Sequence, residues 1–356
     1  MTLPINPMPE VAPSRGAPAR EANQPNESRP MLARDADATY WMARYVERAE
    51  HVARMLLVHS EALIDVGDVA ESLLDGHWRS VLQVMYSDQP TSVEPRDASD
   101  TRPLSLRITD DLTLNPGNPN SLISCLTRAR ENARGIREVI SAEMWQHLNV
   151  MYWSIRAEDA KSMLQEVPEQ LYQQIIEGSM LFQGLTDQTL GYGQRWYFTQ
   201  LGKYFERING ICRMVVFKRQ LIDDHEGDEH SNDSPLWHIH WTTILRSCGS
   251  IEAYRRSYFG ELDEPHVAQF MVLDDGFPRS MAYCVRRAYD SLAALRAKVR
   301  PQTIDQAERI LGRLRAQLEF ADVSDILKIG LDVYLHNMLD HVNQAALAVQ
   351  RSYFLH

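Results

Sequence analysis

Cysteine is scarce and unpaired in this sequence: Cys125, Cys212, Cys248 and Cys284 are spread through 356 residues with no Cys-x-x-Cys pair. That spacing excludes a disulfide framework or a cysteine-based zinc site, and fits free thiols in a reducing cytoplasm. Long apolar runs are missing too. None approaches the roughly 18 to 20 residues of a membrane-spanning helix, and the N-terminal stretch lacks the apolar core of a secretory signal. The expectation is a cytoplasmic protein with no membrane partner. Positive charge is in short supply, with 37 Lys and Arg against 48 Asp and Glu and a net charge of −11. A general nucleic-acid binder needs a basic surface, so no nucleic-acid partner is expected. Local basic patches do occur, at Arg128, Arg130, Arg134 and Arg137 and again at Arg255 and Arg256.

The common catalytic and cofactor signatures are absent as well. There is no Walker-type phosphate loop, no Gly-x-Gly-x-x-Gly and no Gly-x-Ser-x-Gly nucleophile turn. Helical di-metal carboxylate proteins use Glu-x-x-His, which sets both ligands on one helix face. None of the 12 histidines has a glutamate three residues before it. His238-x-His240 and the acidic run 223–230 could chelate a metal adventitiously, but the acidic run reads as a mobile loop. No metal and no cofactor are expected. Strand-like alternation bounded by turns is also missing, whereas helical spacing recurs throughout.

What is present is ordinary globular composition, 44% hydrophobic and 24% charged, in a chain long enough to bury a large core without disulfides or metal. Residues 1–30 hold seven of the 17 prolines and no hydrophobic period, and read as a disordered leader. From Leu32 onward the pattern is helical. Asp35 and Asp37 suit the cap or first turn of a helix. Trp41, Tyr45, Ala49, Val52 and Leu56 then form an apolar stripe, with Arg44, Glu47, His51 and Arg54 opposite and Gly67 as a break. A second helix is expected over about 69–86, around His77 and Trp78. Residues 88–103 read as a surface loop. The turn cluster 115–121 leads through Ser121, a suitable cap, into a helix beginning near Leu122 and running past Arg128, Arg134 and Ile140. Further helices are expected from 141–145 and from Pro168. The tryptophans Trp41, Trp78, Trp145, Trp196 and Trp241 fall in helical contexts and read as core residues.

The stretch 40–55 organises the rest. Its basic residue, Tyr, apolar residue, Glu-Arg and later Arg-Met pair return at 199–214, so that Glu47 and Glu206 are 159 residues apart. Pro119, Ser121, Cys125, Arg128 and Ala129 meet Pro278, Ser280, Cys284, Arg287 and Ala288 at the same offset of 159. His77-Trp78 and His240-Trp241 match at 163, and Gln194-Arg195 and Gln350-Arg351 at 156. Four matches in one order imply an internal duplication. The expected fold is all-α: a multi-helix bundle of two similar halves, 31–190 and 191–356, packed as one globular unit about an approximate twofold axis.

The candidate site follows from that repeat: Arg44, Glu47, Arg48 and Arg54 in one copy, Lys203, Glu206, Arg207 and Arg213 in the other. On a solvated face such residues make spaced ion pairs of a few tenths of a kcal/mol each. Facing one another near the axis, they form a buried network that must satisfy itself, or line a site for an anionic group through Arg48 and Arg207. All three readings are open on the sequence. The turns at Asn118 and Ser121 and at Asp274, Arg279 and Ser280 bring backbone N–H groups to helix N-termini, where they cap the helix or receive an anion.

The stretch Met31-Leu-Ala-Arg-Asp-Ala-Asp-Ala-Thr-Tyr-Trp-Met-Ala-Arg-Tyr-Val-Glu-Arg-Ala-Glu-His-Val-Ala-Arg54 resembles the opening signature of the bacterial alpha-E family, a helical domain named for its Glu-Arg motif. Ala129-Arg-Glu-Asn-Ala-Arg134, Ser141-Ala-Glu-Met-Trp145, the run 245–256 and Phe277-Pro-Arg-Ser280 are similar to its later motifs. The resemblance extends from about Met31 to the C-terminus, and departs at Ala43, where the family usually has Gly. It implies association with a circularly permuted ATP-grasp protein, and with transglutaminase-like or proteasome-related peptidases. It transfers no catalytic residue. The function it implies is that of an accessory subunit of a carboxylate–amine ligase system, in peptide amide-bond formation or peptide modification. Two other readings stand beside it. One is an enzyme with Glu47 or Glu206 as acid–base group and Arg48 or Arg207 as clamp. The other is a non-catalytic helical scaffold.

Overall fold

The computed structural model describes residues 31–66, 71–86, 102–225, 235–259, 262–299 and 305–354. The expected leader (1–30) and most of the two expected loops (88–103 and 223–235) lie outside the described residues. Among the described residues there are helices and turns and no strand. The chain runs through α1 (Ala33–Val66), α2 (Glu71–Tyr86), α3 (Leu104–Leu114), α4 (Leu122–Gly135), α5 (Ala142–Arg156), α6 (Glu158–Glu166) and α7 (Pro168–Thr189). It continues with α8 (Gln194–His225), α9 (Pro235–Ser247), α10 (Ile251–Tyr258) and α11 (Glu264–Ala268), which passes into a π-helical turn, Gln269–Leu273. Then come α12 (Met281–Val299), α13 (Gln306–Glu319), α14 (Val323–Ile329) and α15 (Leu331–Tyr353).

Local chemistry sets several of these boundaries. The Ser121 hydroxyl accepts from the Ser124 amide at 3.2 Å, and the Ser141 hydroxyl accepts from the Met144 amide at 3.2 Å, so each caps an orphan donor at a helix start. Pro168 occupies the first turn of α7, where its missing N–H costs nothing. Asp35 sits inside the first turn of α1 and complements the helix dipole. One expectation fails: α4 stops at Gly135 and does not reach Ile140. Glycine is the poorest non-proline helix former, and the chain turns there so that Ile136 and Ile140 drop into the core.

Helices α1 and α8 are the long central pair, in contact with each other more extensively than any other two. Around α1 pack α4 and α7, bridged by α5; around α8 pack α12 and α15, bridged by α13. At the far end α2 lies mainly on α8, and α9 lies equally on α1 and α8. This placement revises the one-sided reading of α1. A helix enclosed by α4, α7, α8 and α9 has no solvated side to spare, so Arg44 and Glu47 are buried along with Val46, Ala49, Val52 and Leu56. Trp41 and Tyr45, the first two residues of the expected stripe, are only half-buried. Trp78, Trp196 and Trp241 are buried.

Where α1 crosses α8 the backbones come very close. A Cβ at Gly202 would collide with the Tyr40 carbonyl oxygen, and would stand 3.1 Å from the Cβ of Ala43. Glycine in mid-helix costs about 1 kcal/mol relative to alanine, but here no larger residue fits. With Gly202 on the opposing helix, the methyl group of Ala43 is accommodated without separating the pair.

Candidate functional site

The close crossing brings the two Glu-Arg elements face to face. From α1, Arg48 reaches across and grips Glu206 with two parallel bonds, Nε to Oε1 at 2.6 Å and Nη2 to Oε2 at 3.0 Å. Arg44, one turn earlier, donates from Nε to Oε2 of the same carboxylate at 2.7 Å and from Nη1 to the Tyr40 hydroxyl at 3.1 Å. Its guanidinium lies against the rings of Trp41 and Tyr40, 4.9 and 5.5 Å from their centroids. From α8, Arg207 returns the grip on Glu47, Nε to Oε1 at 2.6 Å and Nη2 to Oε2 at 2.9 Å. Paired bonds of this kind are the strongest that a guanidinium makes to a carboxylate.

The two turns close the ends of the junction. Arg48 donates to Asn120 Oδ1 at 3.4 Å, and Arg207 donates to the Pro278 carbonyl at 3.1 Å. Arg279, beside Pro278, approaches Glu47 at 3.7 Å and also donates to Glu50, which accepts in addition from Arg54 at 2.8 Å. Each turn is self-satisfied. The Ser121 hydroxyl donates to the Asn115 carbonyl at 2.7 Å, and Asn118 donates to the Asp111 carboxylate at 2.7 Å. Asp274 accepts from the amides of Gly276 and Phe277 at 2.8 and 2.9 Å, and Ser280 caps α12 through the Tyr283 amide at 3.1 Å.

Burial and charge act in opposite directions on these carboxyls. Burial alone would raise Glu47, but the Arg207 and Arg279 guanidiniums outweigh it and hold the group at about 2. Glu206 is likewise pushed up by burial and pulled down by Arg48 and Arg44, to about 2. Both are therefore ionised throughout the neutral range. His51, within the field of both, is driven down to about 4 by burial and stays neutral, with no hydrogen-bond partner for its Nε2 among the described residues.

Lys203 differs from its neighbours. It is 8% exposed, and no carboxylate lies within ion-pair distance of its amine among the described residues, where the nearest cation contact is the Tyr204 ring at 5.3 Å. Burial, reinforced by Arg207, brings its amine down to about 8. Gln183 Nε2 reaches Glu47 at 3.5 Å, leaving its own Oε1 without a partner.

The structure thus gathers Arg44, Glu47, Arg48, Lys203, Glu206, Arg207 and Arg279 at one crossing. Arg54 is joined through Glu50, and half-buried Arg213 lies about two turns beyond Glu206 on α8. Sequence reasoning missed Tyr40, Glu50, Asn120 and Gln183. Tyr40 and Glu50 carried a signal in their spacing of four from Arg44 and Arg54, and Asn120 lay within the turn cluster 115–121. The four cysteines are free and buried, with the thiols of Cys125, Cys248 and Cys284 pushed up to about 12 by burial. Among the described residues no cluster of three His, Cys, Asp or Glu is arranged to hold a metal, and no helix is long and apolar enough to cross a membrane.

A family model, Alpha-E, described as a predicted alpha-helical domain with a conserved ER motif, matches residues 31–354. Uncharacterized proteins of Mycobacterium bovis and of Mycobacterium tuberculosis are each 23% identical to the chain over 303 residues, covering 82% of it and 33% of themselves. The chain therefore spans about a third of the length of the curated relatives it matches. No solved structure matches it.

Proposed function

The chain belongs to the Alpha-E family, and on that footing we propose that it is a non-catalytic accessory module that works beside an ATP-grasp-type carboxylate–amine ligase in forming or modifying peptide amide bonds. One observation carries the non-catalytic half of this reading. The Glu-Arg carboxylates are spent on guanidiniums of the same fold and held at about 2, so neither can exchange a proton near neutrality. The accessory half is supported by the length of the relatives, in which a region like this one occupies about a third of a longer chain. The family resemblance supplies the class of partner: a circularly permuted ATP-grasp protein, with transglutaminase-like or proteasome-related peptidases as further members of the system. Two experiments test the reading. A tagged chain co-expressed with the ATP-grasp protein of the same genome is expected to co-purify with it. ATP-dependent amide formation by that ligase is expected to rise when this chain is added. Recovery of the tagged chain alone in mild salt, with ligase turnover unchanged, overturns the proposal.

The same reading takes the chain as a doubled unit, in halves 31–190 and 191–356. What supports this is the reciprocity of the contacts: α4 and α7 on α1 as α12 and α15 on α8, and Arg48 on Glu206 as Arg207 on Glu47. Separate expression of each half checks it, since halves that need one another to complete the Glu-Arg junction are expected to fold only when combined.

A further inference from the structure

The arginines away from the junction behave differently from those within it. Arg130 of α4 is anchored by a 2.7 Å bond from its Nε to Asn149 Oδ1. Its guanidinium lies 5.5, 4.6 and 6.0 Å from the ring centroids of Trp145, Tyr152 and Trp153 on α5. Arg137, in the turn after α4, lies over the Trp145 ring at 5.1 Å, and Arg156, at the end of α5, lies over the Tyr152 ring at 5.3 Å. No ion pair engages any of the three among the described residues, although Glu131, Glu138 and Glu143 are exposed on the same elements. Arg137 and Arg156 are exposed, and Trp153 and Val150 stand 59% and 65% exposed beside them.

We propose that this face, where Arg130, Arg137 and Arg156 lie on Trp145, Tyr152 and Trp153, docks an acidic, glutamate- or aspartate-bearing segment of a partner polypeptide. Stacking on a ring holds a guanidinium flat at little further entropy cost and leaves its N–H edge free. That free edge is the geometry that takes a carboxylate with paired bonds. The chain has 48 acidic residues, yet among the described residues none of them forms an ion pair with these three cations. Tryptophan, tyrosine and arginine are also the side chains that contribute most at protein interfaces. Polyphosphate binding depends on a continuous basic track, which exposed Glu131, Glu138 and Glu143 interrupt here. Paired bonds to a carboxylate need only one guanidinium at a time, so the face suits an acidic polypeptide better than a nucleic acid. The inference holds whether or not the partner is a ligase.

The test is a fluorescence-anisotropy titration of the full chain with a fluorescein-labelled deca-glutamate peptide at low salt, with circular dichroism to confirm that each variant is folded. Saturable binding that weakens with added salt is expected. The double charge reversal Arg137→Glu and Arg156→Glu, at two exposed positions, is expected to weaken it by about tenfold or more. Trp153→Ala, which leaves the charge unchanged, is expected to weaken it about threefold, and Arg351→Glu on distant α15 to leave it unchanged. Absence of binding by the parent chain, equal loss in the Arg351→Glu control, or tighter binding of a ten-nucleotide uridine RNA than of the peptide overturns the proposal. Because no ligase is present, failure here leaves the co-purification result unaffected.

Discussion

The carboxylates of Glu206 and Glu47 occupy corresponding places on the two central helices and are held in different ways. Glu206 takes two guanidiniums from a single helix, Arg44 and Arg48 of α1, and the nearby turn adds only the neutral Asn120. Glu47 takes one guanidinium from α8, Arg207, and a second from the turn, Arg279, which also serves Glu50. Lys203, which stands 159 positions on from Arg44, is thereby left without a carboxylate at ion-pair distance among the described residues, and feels Glu47 only through its field. The difference shows that a buried carboxylate must be matched by cationic donors, while the element supplying them is free to vary. A buried charge without a partner costs several kcal/mol, so the set has to balance as a whole.

The largest expected effect comes from emptying the better-paired end. Glu206→Gln leaves Arg44 and Arg48 facing a neutral amide in a buried site, and a loss of about 3–5 kcal/mol is expected in urea unfolding. Glu47→Gln is expected to cost less, because Arg279 retains Glu50; an equal or larger loss would remove the distinction between the two ends. Gly202→Ala probes the crossing that both ends share. Its methyl group has to displace the Tyr40 backbone, and destabilisation of roughly 1–3 kcal/mol is expected, read as a fall in melting temperature.

Acid should dissolve both ends together. Each carboxyl titrates near its ordinary 4.5 in the unfolded chain and at about 2 in the fold. The unfolded state therefore takes up the protons first, and the stability these groups provide above pH about 4.5 is lost as the pH falls towards 2. His51, depressed from 6.5 to about 4, acts in the same direction and starts the decline earlier, below about pH 6.5. Urea midpoints measured from pH 7 to pH 2 should trace this loss, and the slope should be shallower in Glu206→Gln. The smallest effect is expected at the unmatched cation. Lys203→Met removes a buried amine that has no carboxylate at ion-pair distance among the described residues. The relief of its burial is offset by the weaker field of Glu47, and a change within about 1 kcal/mol, towards higher stability at pH 7, is expected by calorimetry. Destabilisation as large as that of Arg44→Met would show that the two positions are equivalent.

Much of the helical order was legible in residue chemistry that acts locally. Ser121, Ser141 and Pro168 mark helix starts because a hydroxyl or an imino nitrogen at that position settles an orphan backbone group whatever surrounds it. The end of α4 was misjudged, because the apolar spacing through Ile140 persists into a turn that is itself buried. The face of α1 was misjudged for a related reason. Periodicity divides a helix into two sides, and a helix enclosed by four others has no solvent side.

The sequence by itself determined that this chain is helical, that it carries two matched Glu-Arg elements, and that their glutamates and arginines had to be satisfied wherever they were buried. These follow from spacing and from the cost of burying charge, which do not depend on a partner's position. Only the tertiary structure decided which arginine holds which glutamate, that Arg279 enters from a turn in place of Lys203, and that Arg130 lies over the Tyr152 ring instead of forming an ion pair among the described residues. Those choices depend on distances of a few ångströms across a helix crossing set by Gly202, between residues some 160 positions apart in the chain.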